Sequence, residues 1–549
     1  MIYEPMTMHI HTCHQPGGSM EGHIYNAKNL GMRYIRFTDH DTRLGAARKK
    51  NPITGFDFSK GIRVIAEKPI AEHGFTLFGN VEENVEKGRI ALKCTTDGEE
   101  YERSGAYFYS EGTKHTVTLI AEVSVLLGMK FKLTGDAHLY LDVRLSQRPP
   151  DHTPAHLVYC FDDYDGQTTP HTIRLPIKEN EEGIYKLDLS EDMRKLWEIG
   201  GLDNVFDTVL ITAETRRGGC AEIILDRFEI NSEHSYDGIL TRQRFVAEEI
   251  GKRYGVKPFV TNEISGAGQH KNVFSTKVPV IDYADNGFSV SEWDAVKHVK
   301  AHGGIFAYNH PFENNKFKKL KELSPEEVSR YVVNEAAYLI STKVFGADLI
   351  EVGFTEGRGC FGLKEYLRLW DTLSLSGIFI TGYGDSDSHR NHQGWYEGNN
   401  FASWVGVDEN IPYPAPEEEF IRTMKMGRIY MGDPVFLKFG IKFEADGAEM
   451  GDVVYSDKHS HKVKFSVFSP NEDFKVKIVA DAVAVKECDV KAGEDLEVEL
   501  DYKREYPLGF VRVEMYNSSG RCIMLTNPIY FAGKNEYFGE IPAERLREV

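Results

Sequence analysis

Histidines and acids recur in this chain in one particular place, at or just past the end of short apolar runs, and this recurrence constrains the fold more than any other feature. His9 and His11 lie at the end of the run Met6 to Ile10. Asp39-His40-Asp41 follows Tyr34 to Phe37, and Glu263 follows Phe259-Val260-Thr261, with His270 in the glycine-containing loop beyond. His310-Pro311 follows Ile305 to Tyr308, and Asp387-Ser388-His389 follows Ile378 to Thr381 and a glycine-containing turn. Short apolar runs bounded by turn residues read as buried strands. In barrel and open α/β domains, sites assemble at the carboxyl ends of such strands. A fold that satisfies the pattern must bring together stretches spread from residue 9 to residue 389.

The connecting sequence supports strands alternating with helices at both ends of that span. Ser19 to Leu30 has helical spacing, with Ile24, Ala27 and Leu30 on one side and Gly31 as a stop, and Met32 to Phe37 resumes as a strand. After Tyr236 the spacing predicts helices over Ile239 to Tyr254 and Glu292 to Ala301. Strands are predicted over Lys257 to Asn262, Gly304 to Asn309, Ala347 to Val352 and Gly377 to Thr381. Between them, from about Gly74 to Ile230, short alternating runs are separated by Gly, Asp and Pro turns, the pattern of a β-sandwich. Short strands return from Phe436 to Phe531. At 549 residues the chain should hold roughly two to four domains. The reading is an α/β barrel-like domain in two parts, 1–73 and 236–433, with a β-sandwich inserted at 74–235 and a second β-sandwich at 434–549.

Bulk properties exclude several classes. A formal net charge of -19 argues against a nucleic-acid-binding face. Seven scattered cysteines with no CxxC pair argue against thiolate zinc sites and a disulfide framework, and fit a reducing compartment. The most apolar run, Val117 to Phe131, is broken by Glu122, Ser124, Gly128 and Lys130 and reads as a strand pair, so no membrane association is expected. The start of the chain lacks a basic segment followed by an apolar one, and the expectation is a cytoplasmic protein.

The clustered residue types define a chemistry. Residues two apart on a strand face the same way, so His9 and His11 can reach one ion. Imidazoles mixed with carboxylates, without thiolate, suit Zn²⁺, Mn²⁺ or Fe²⁺. The donors exceed what one ion needs, and a carboxylate such as Glu263 can bridge two. Ions held close together activate water and neutralise charge on a substrate oxygen, which is hydrolytic chemistry.

At His9-Ile10-His11-Thr12, Thr38-Asp39-His40-Asp41, Glu263, Asn309-His310-Pro311 and Gly384-Asp385-Ser386-Asp387-Ser388-His389, the chain resembles the polymerase and histidinol phosphatase (PHP) domain of metal-dependent phosphoesterases. Met424-Lys425-Met426-Gly427-Arg428-Ile429-Tyr430, the tail Thr526-Asn527-Pro528-Ile529-Tyr530 and the inserted sandwich extend the likeness to the carbaryl-hydrolase-like branch. The resemblance implies a distorted (β/α)7 barrel holding two or three divalent ions. It implies that His9, His11, Glu263 and Asp387 hold the first ion, Glu263, His270 and His310 the second, and His40 and His389 a third. The family often has a further ligand in the loop after the HxH pair. That loop reads Cys13-His14-Gln15-Pro16-Gly17-Gly18 here, and His14 is the available candidate at a shorter spacing.

Other residues have competing readings. Glu67 and His73 imitate the Glu-then-His motif, but Glu263 follows a clearer strand. His302 ends a helix, where a cation is favourable anyway. Glu351 is placed either to line the site or to form a buried ion pair, and Arg390 and His392 either to contact substrate phosphate or to face solvent. No GxxxxGK[ST] loop is present. The expected function is a metallohydrolase of a small phosphomonoester or phosphodiester, with Asp387 and Glu263 as catalytic residues. One rival keeps the site but cleaves a carbamate, ester or amide. Another has an inert barrel and a sandwich that binds carbohydrate through Tyr101, Tyr107, Phe108 and Tyr109.

Overall fold

The computed structural model describes residues 1–12, 18–41, 62–64, 76–86, 89–109, 122–150, 153–162, 172–177, 183–197, 208–233, 236–281, 290–312, 323–352, 361–389 and 401–549. The amino-terminal strand Ile2–Ile10 lies at the centre of the α/β part and is buried over most of its length. It pairs in parallel with Tyr34–Phe37, which pairs in parallel with Lys257–Val260, and on its other edge it runs antiparallel to Ala402–Val407. The helix Met20–Asn29 crosses over between the first two strands. Ser19 caps it by accepting from the Gly22 amide, and Leu30 and Gly31 close it.

The expected distorted (β/α)7 barrel does not form. Its strands divide between two sheets. Ile2–Ile10, Tyr34–Phe37, Lys257–Val260, Ala402–Val407 and Ile429–Gly432 belong to a twelve-stranded sheet. Glu263–Ile264, Lys271–Phe274, Ile305–Tyr308, Leu349–Glu351 and Thr381–Tyr383 form a separate five-stranded one. Outside the named strands the two are bridged by single isolated pairs, His40 with Glu263 and Ile10 with Ser388. The reason is local. The strands of the five-stranded sheet are only two to four residues long. Beyond them the backbone turns aside, with His310 at φ 24° and Asp387 at φ 46°, conformations that cannot continue a ladder. Met6, Met8, Tyr34, Phe259, Phe274, Ile305, Leu349 and Tyr383 pack between the sheets.

The twelve-stranded sheet runs past residue 433. Ile429–Gly432 pairs with Cys522–Thr526, and the sheet continues through Leu508–Tyr516 and Ile529–Ala532. A four-stranded sheet of Gly440–Ala445, Ala448–Glu449, Ser460–Phe468 and Leu496–Lys503 accompanies it, and one hydrophobic cluster spans the α/β part and this C-terminal region. The segment between the two halves of the α/β part is a ten-stranded sheet built on two long antiparallel strands, Glu122–Arg148 and Thr208–Glu233. It has its own core. The stretch read as a strand pair, in its described part, is instead the start of the single strand Glu122–Arg148. No helix among the described residues is long and apolar enough to cross a membrane.

Candidate metal centre

Strand alternation puts His9 and His11 on one side of the first strand, with their Nε2 atoms 3.0 Å apart. The His11 amide donates to the Ser388 carbonyl at 2.9 Å, which ties the end of this strand to the loop carrying Asp387 and His389. The left-handed backbone at Asp387 brings Oδ1 to 3.1 Å from His9 Nε2 and 3.0 Å from His11 Nε2. Glu263 enters from the opposite sheet. Its amide donates to the Asp39 carbonyl and its carbonyl accepts from the Asp41 amide, so the bridge at His40 fixes it in place.

Glu263 sits between two groups of imidazoles. Its Oε1 is 3.4 Å from His9 Nε2, 3.3 Å from His270 Nδ1 and 3.4 Å from His310 Nε2. Its Oε2 lies 2.6 Å from His40 Nδ1 and 3.7 Å from His11 Nε2. The His389 ring stacks on His11 with centroids 4.4 Å apart, and its Nδ1 is 2.9 Å from the Asp387 carbonyl. Three donor sets have their ligand atoms mutually within 4.8 Å: His9, His11 and Glu263; His40, Glu263 and His270; and His11, His40 and His389. His310 flanks the second set, its ring centroid 5.1 Å from that of His270. His9, His11, His40, Glu263, His270, His310, Asp387 and His389 thus share one cluster. His14, Arg390 and His392, and the competing Glu67 and His73, lie outside the described residues.

The donor set fits divalent cations. Glu263 is fully buried, and its Oε2 faces the imidazoles of His40 and His11. Burial alone would favour its neutral form, yet His270, His40 and His9 hold its carboxyl well below the ordinary range. Burial, with His389 and His40 nearby, drives His11 well below the usual imidazole value, and burial also lowers His389, so both rings favour the neutral form that can donate a lone pair. His9 shifts the other way: burial opposes its charge, but Asp387, Glu351 and Glu263 together raise it well above that value. The acids around His9 favour a positive charge there, and the neutral imidazoles beside it supply donors.

The surrounding residues were less legible. Asn309 Nδ2 donates to Glu263 Oε1 at 2.7 Å and is oriented by the Tyr383 hydroxyl. Gln269 reaches the His310 ring and the carbonyls of Asn309 and His310. Asp39 accepts from the Thr12 amide and hydroxyl and from Gln243, which lies on a helix 204 residues away. Asp385 accepts from Thr7 and from the Met8 and Ser386 amides, and burial pushes its carboxyl up to about 7. Thr12, Asp39, Asn309, Asp385 and Ser386, inside the motifs, carried a sequence signal, whereas Gln243, Gln269 and Tyr383 did not. His302 accompanies a helix end, its Nδ1 2.8 Å from the His298 carbonyl.

No protein-family model matches the chain, and no curated protein matches it. Solved structures with partial likeness include a family 12 xyloglucanase from Bacillus licheniformis (9% identity, 28% of this chain and 84% of that one, TM-score 0.22). The endoglucanase Cel12A from Rhodothermus marinus is 12% identical over 32% of this chain and 96% of its own, with a TM-score of 0.24. An exo-beta-agarase is 9% identical over 31% of this chain and 24% of its own, with a TM-score of 0.17. Likeness at this level carries no argument about chemistry.

Proposed function

We propose that this chain is a metal-dependent hydrolase whose cluster activates water against a small phosphomonoester or phosphodiester. The observation that carries the reading is the position of Glu263, a buried carboxylate with one oxygen facing His9, His270 and His310 and the other facing His40 and His11. That is the placement of a bridging ligand, and the motif resemblance to PHP phosphoesterases supports the same assignment. His9, His11, Glu263 and Asp387 would hold one ion and Glu263, His270 and His310 a second, with His40 and His389 available for a third. Zinc, manganese or iron bound there would make a water nucleophilic near neutral pH and offset charge on the substrate oxygens. The Asp387 carboxylate, whose Oδ1 lies between His9 and His11, would also serve to accept a proton. Asn309 fixes the rotamer of Glu263 by donating to Oε1.

The test is metal analysis of the purified protein, followed by assay of aryl phosphate mono- and diesters beside aryl carbamates with zinc, manganese and iron supplied. Glu263→Gln and Asp387→Asn should each lower phosphoester turnover by more than about 100-fold, since loss of even an outer partner of a ligand costs 10- to 100-fold. Unchanged rates in both variants would reject the site. Turnover of carbamates alone would move the activity to the other ester class.

A further inference from the structure

Glu351 ends the strand Leu349–Glu351 in the five-stranded sheet and is completely buried, yet it belongs to none of the three donor sets. Both of its oxygens are engaged. Oε1 is 3.0 Å from His9 Nδ1, and Oε2 accepts the backbone N–H of His310 at 2.8 Å. His9 lies on the twelve-stranded sheet and His310 follows Ile305–Tyr308 in the other, so one carboxylate ties together residues placed on opposite sides of the cluster. His310 also has φ 24°, a backbone conformation costly for a non-glycine residue, and the bond from its amide to Glu351 helps hold it there.

We infer that Glu351 is a positioning residue that selects the tautomer of His9. A carboxylate facing Nδ1 accepts a proton from that nitrogen, which leaves the Nε2 lone pair directed at the point shared with His11 Nε2, Asp387 Oδ1 and Glu263 Oε1. Carboxylates that hold the far nitrogen of a ligating imidazole in this way fix both ring orientation and basicity. The assignment rests on the hydrolase reading for its consequence, but its geometry does not depend on that reading.

Glutamine is the discriminating substitution. Glu351 offers two acceptors to two N–H donors, whereas an amide offers one acceptor and one donor. In either orientation Glu351→Gln must set its NH₂ against the His310 N–H or against His9 Nδ1, and the second arrangement favours the tautomer with Nε2 protonated. Glu351→Asp keeps both acceptors on a shorter stem. Metal affinity by chelator competition should fall about 10- to 100-fold in Glu351→Gln and recover in part in Glu351→Asp. The melting temperatures of the three metal-free proteins should stay close to one another. In metal-free protein labelled with ¹⁵N at histidine, at a pH alkaline enough for His9 to hold a single ring proton, the His9 nitrogens should report that proton on Nδ1 in the wild type and a changed pattern in Glu351→Gln. Wild-type affinity in Glu351→Gln, equal losses in both variants together with lowered melting temperatures, or unchanged His9 shifts would each overturn the inference. A wild-type protein that binds no metal would reject the hydrolase reading instead, and the nitrogen shifts would still decide the tautomer.

Discussion

His9 lies between Asp387, Glu351 and Glu263, and the balance of these charges sets how the cluster responds to pH. Its pKa is raised above the usual imidazole value, so it carries a proton at neutral pH that a ligating Nε2 must lose. His11 and His389 are lowered and bring no proton to be displaced. Glu263 is depressed and is already ionised. Metal affinity should therefore rise with pH across the neutral range, by about tenfold per unit for the one proton released below the His9 value. Chelator competition between about pH 6 and pH 8 reads this directly. A flat profile would mean that His9 is not protonated in the metal-free protein, or is not a ligand.

At the scale of elements, the two sheets of the α/β part are held together away from the cluster by a buried ion pair. Arg36 on Tyr34–Phe37 donates to Glu417 Oε1 at 2.8 Å, at the start of the helix Glu417–Lys425. Glu417 Oε2 accepts from the Thr276 amide and hydroxyl, just past Lys271–Phe274 of the other sheet. The guanidinium lies over Phe259 and Phe274, and burial lowers its hold on a proton, so the Glu417 carboxylate offsets the cost of keeping that charge buried. Glu417→Gln should cost about 3–5 kcal/mol at neutral pH, the usual result of stranding one partner of a buried pair. Burial would raise the Glu417 pKa, but Arg36 and Thr276 bring it below its ordinary 4.5. With the folded value depressed, the stabilisation is present above that ordinary value and is lost as pH falls through the folded one. Denaturant titrations of wild type and variant should therefore converge in acid, and a constant gap would exclude the pair as its source. The short-range parts of this architecture were readable from the chain. Met20–Asn29 lies within the helix read over Ser19 to Leu30, and Glu292–Ala301 falls where the spacing puts it, because both patterns are local. The clustered histidines and acids were readable for the same reason, since most lie at or just past a short apolar run. The division into two sheets was not, because it depends on pairings such as Ile2 with Val407 and on the turned backbones at His310 and Asp387, which no local pattern records. Gln243 and Glu351 show the same limit, since each acts through a residue hundreds of positions away.

Across the whole molecule, the two largest hydrophobic clusters among the described residues, one in the α/β and C-terminal parts and one in the inserted sheet, predict two cooperative units. One cluster runs from Ile10 in the first strand to Phe531 near the C-terminus, and the site is wired into it by Asn527. The Asn527 side chain accepts from the Gly382 amide and donates to the carbonyls of Gly382 and Ile429, joining the strand that leads to Asp387 to the twelve-stranded sheet. The inserted sheet has a separate cluster, and it meets the α/β part through Arg148, whose guanidinium donates to Glu21 on the helix Met20–Asn29. A polar contact such as that of Arg148 with Glu21 couples separately packed cores far less than a shared core would. Calorimetry should accordingly show two transitions. A cation that binds the folded cluster stabilises only the unit containing it, by RT ln(1 + [L]/Kd), or about 2.7 kcal/mol at one hundred times Kd. Added metal should thus raise the transition of the α/β and C-terminal unit and leave the other in place. Asn527→Ala, which leaves buried Gly382 and Ile429 backbone groups without partners, should lower that same transition by about 1–3 kcal/mol per stranded group. If metal moves both transitions together, or unfolding occurs in one step, then the inserted sheet is part of the same cooperative unit, and its paired long strands Glu122–Arg148 and Thr208–Glu233 are energetically coupled to the cluster.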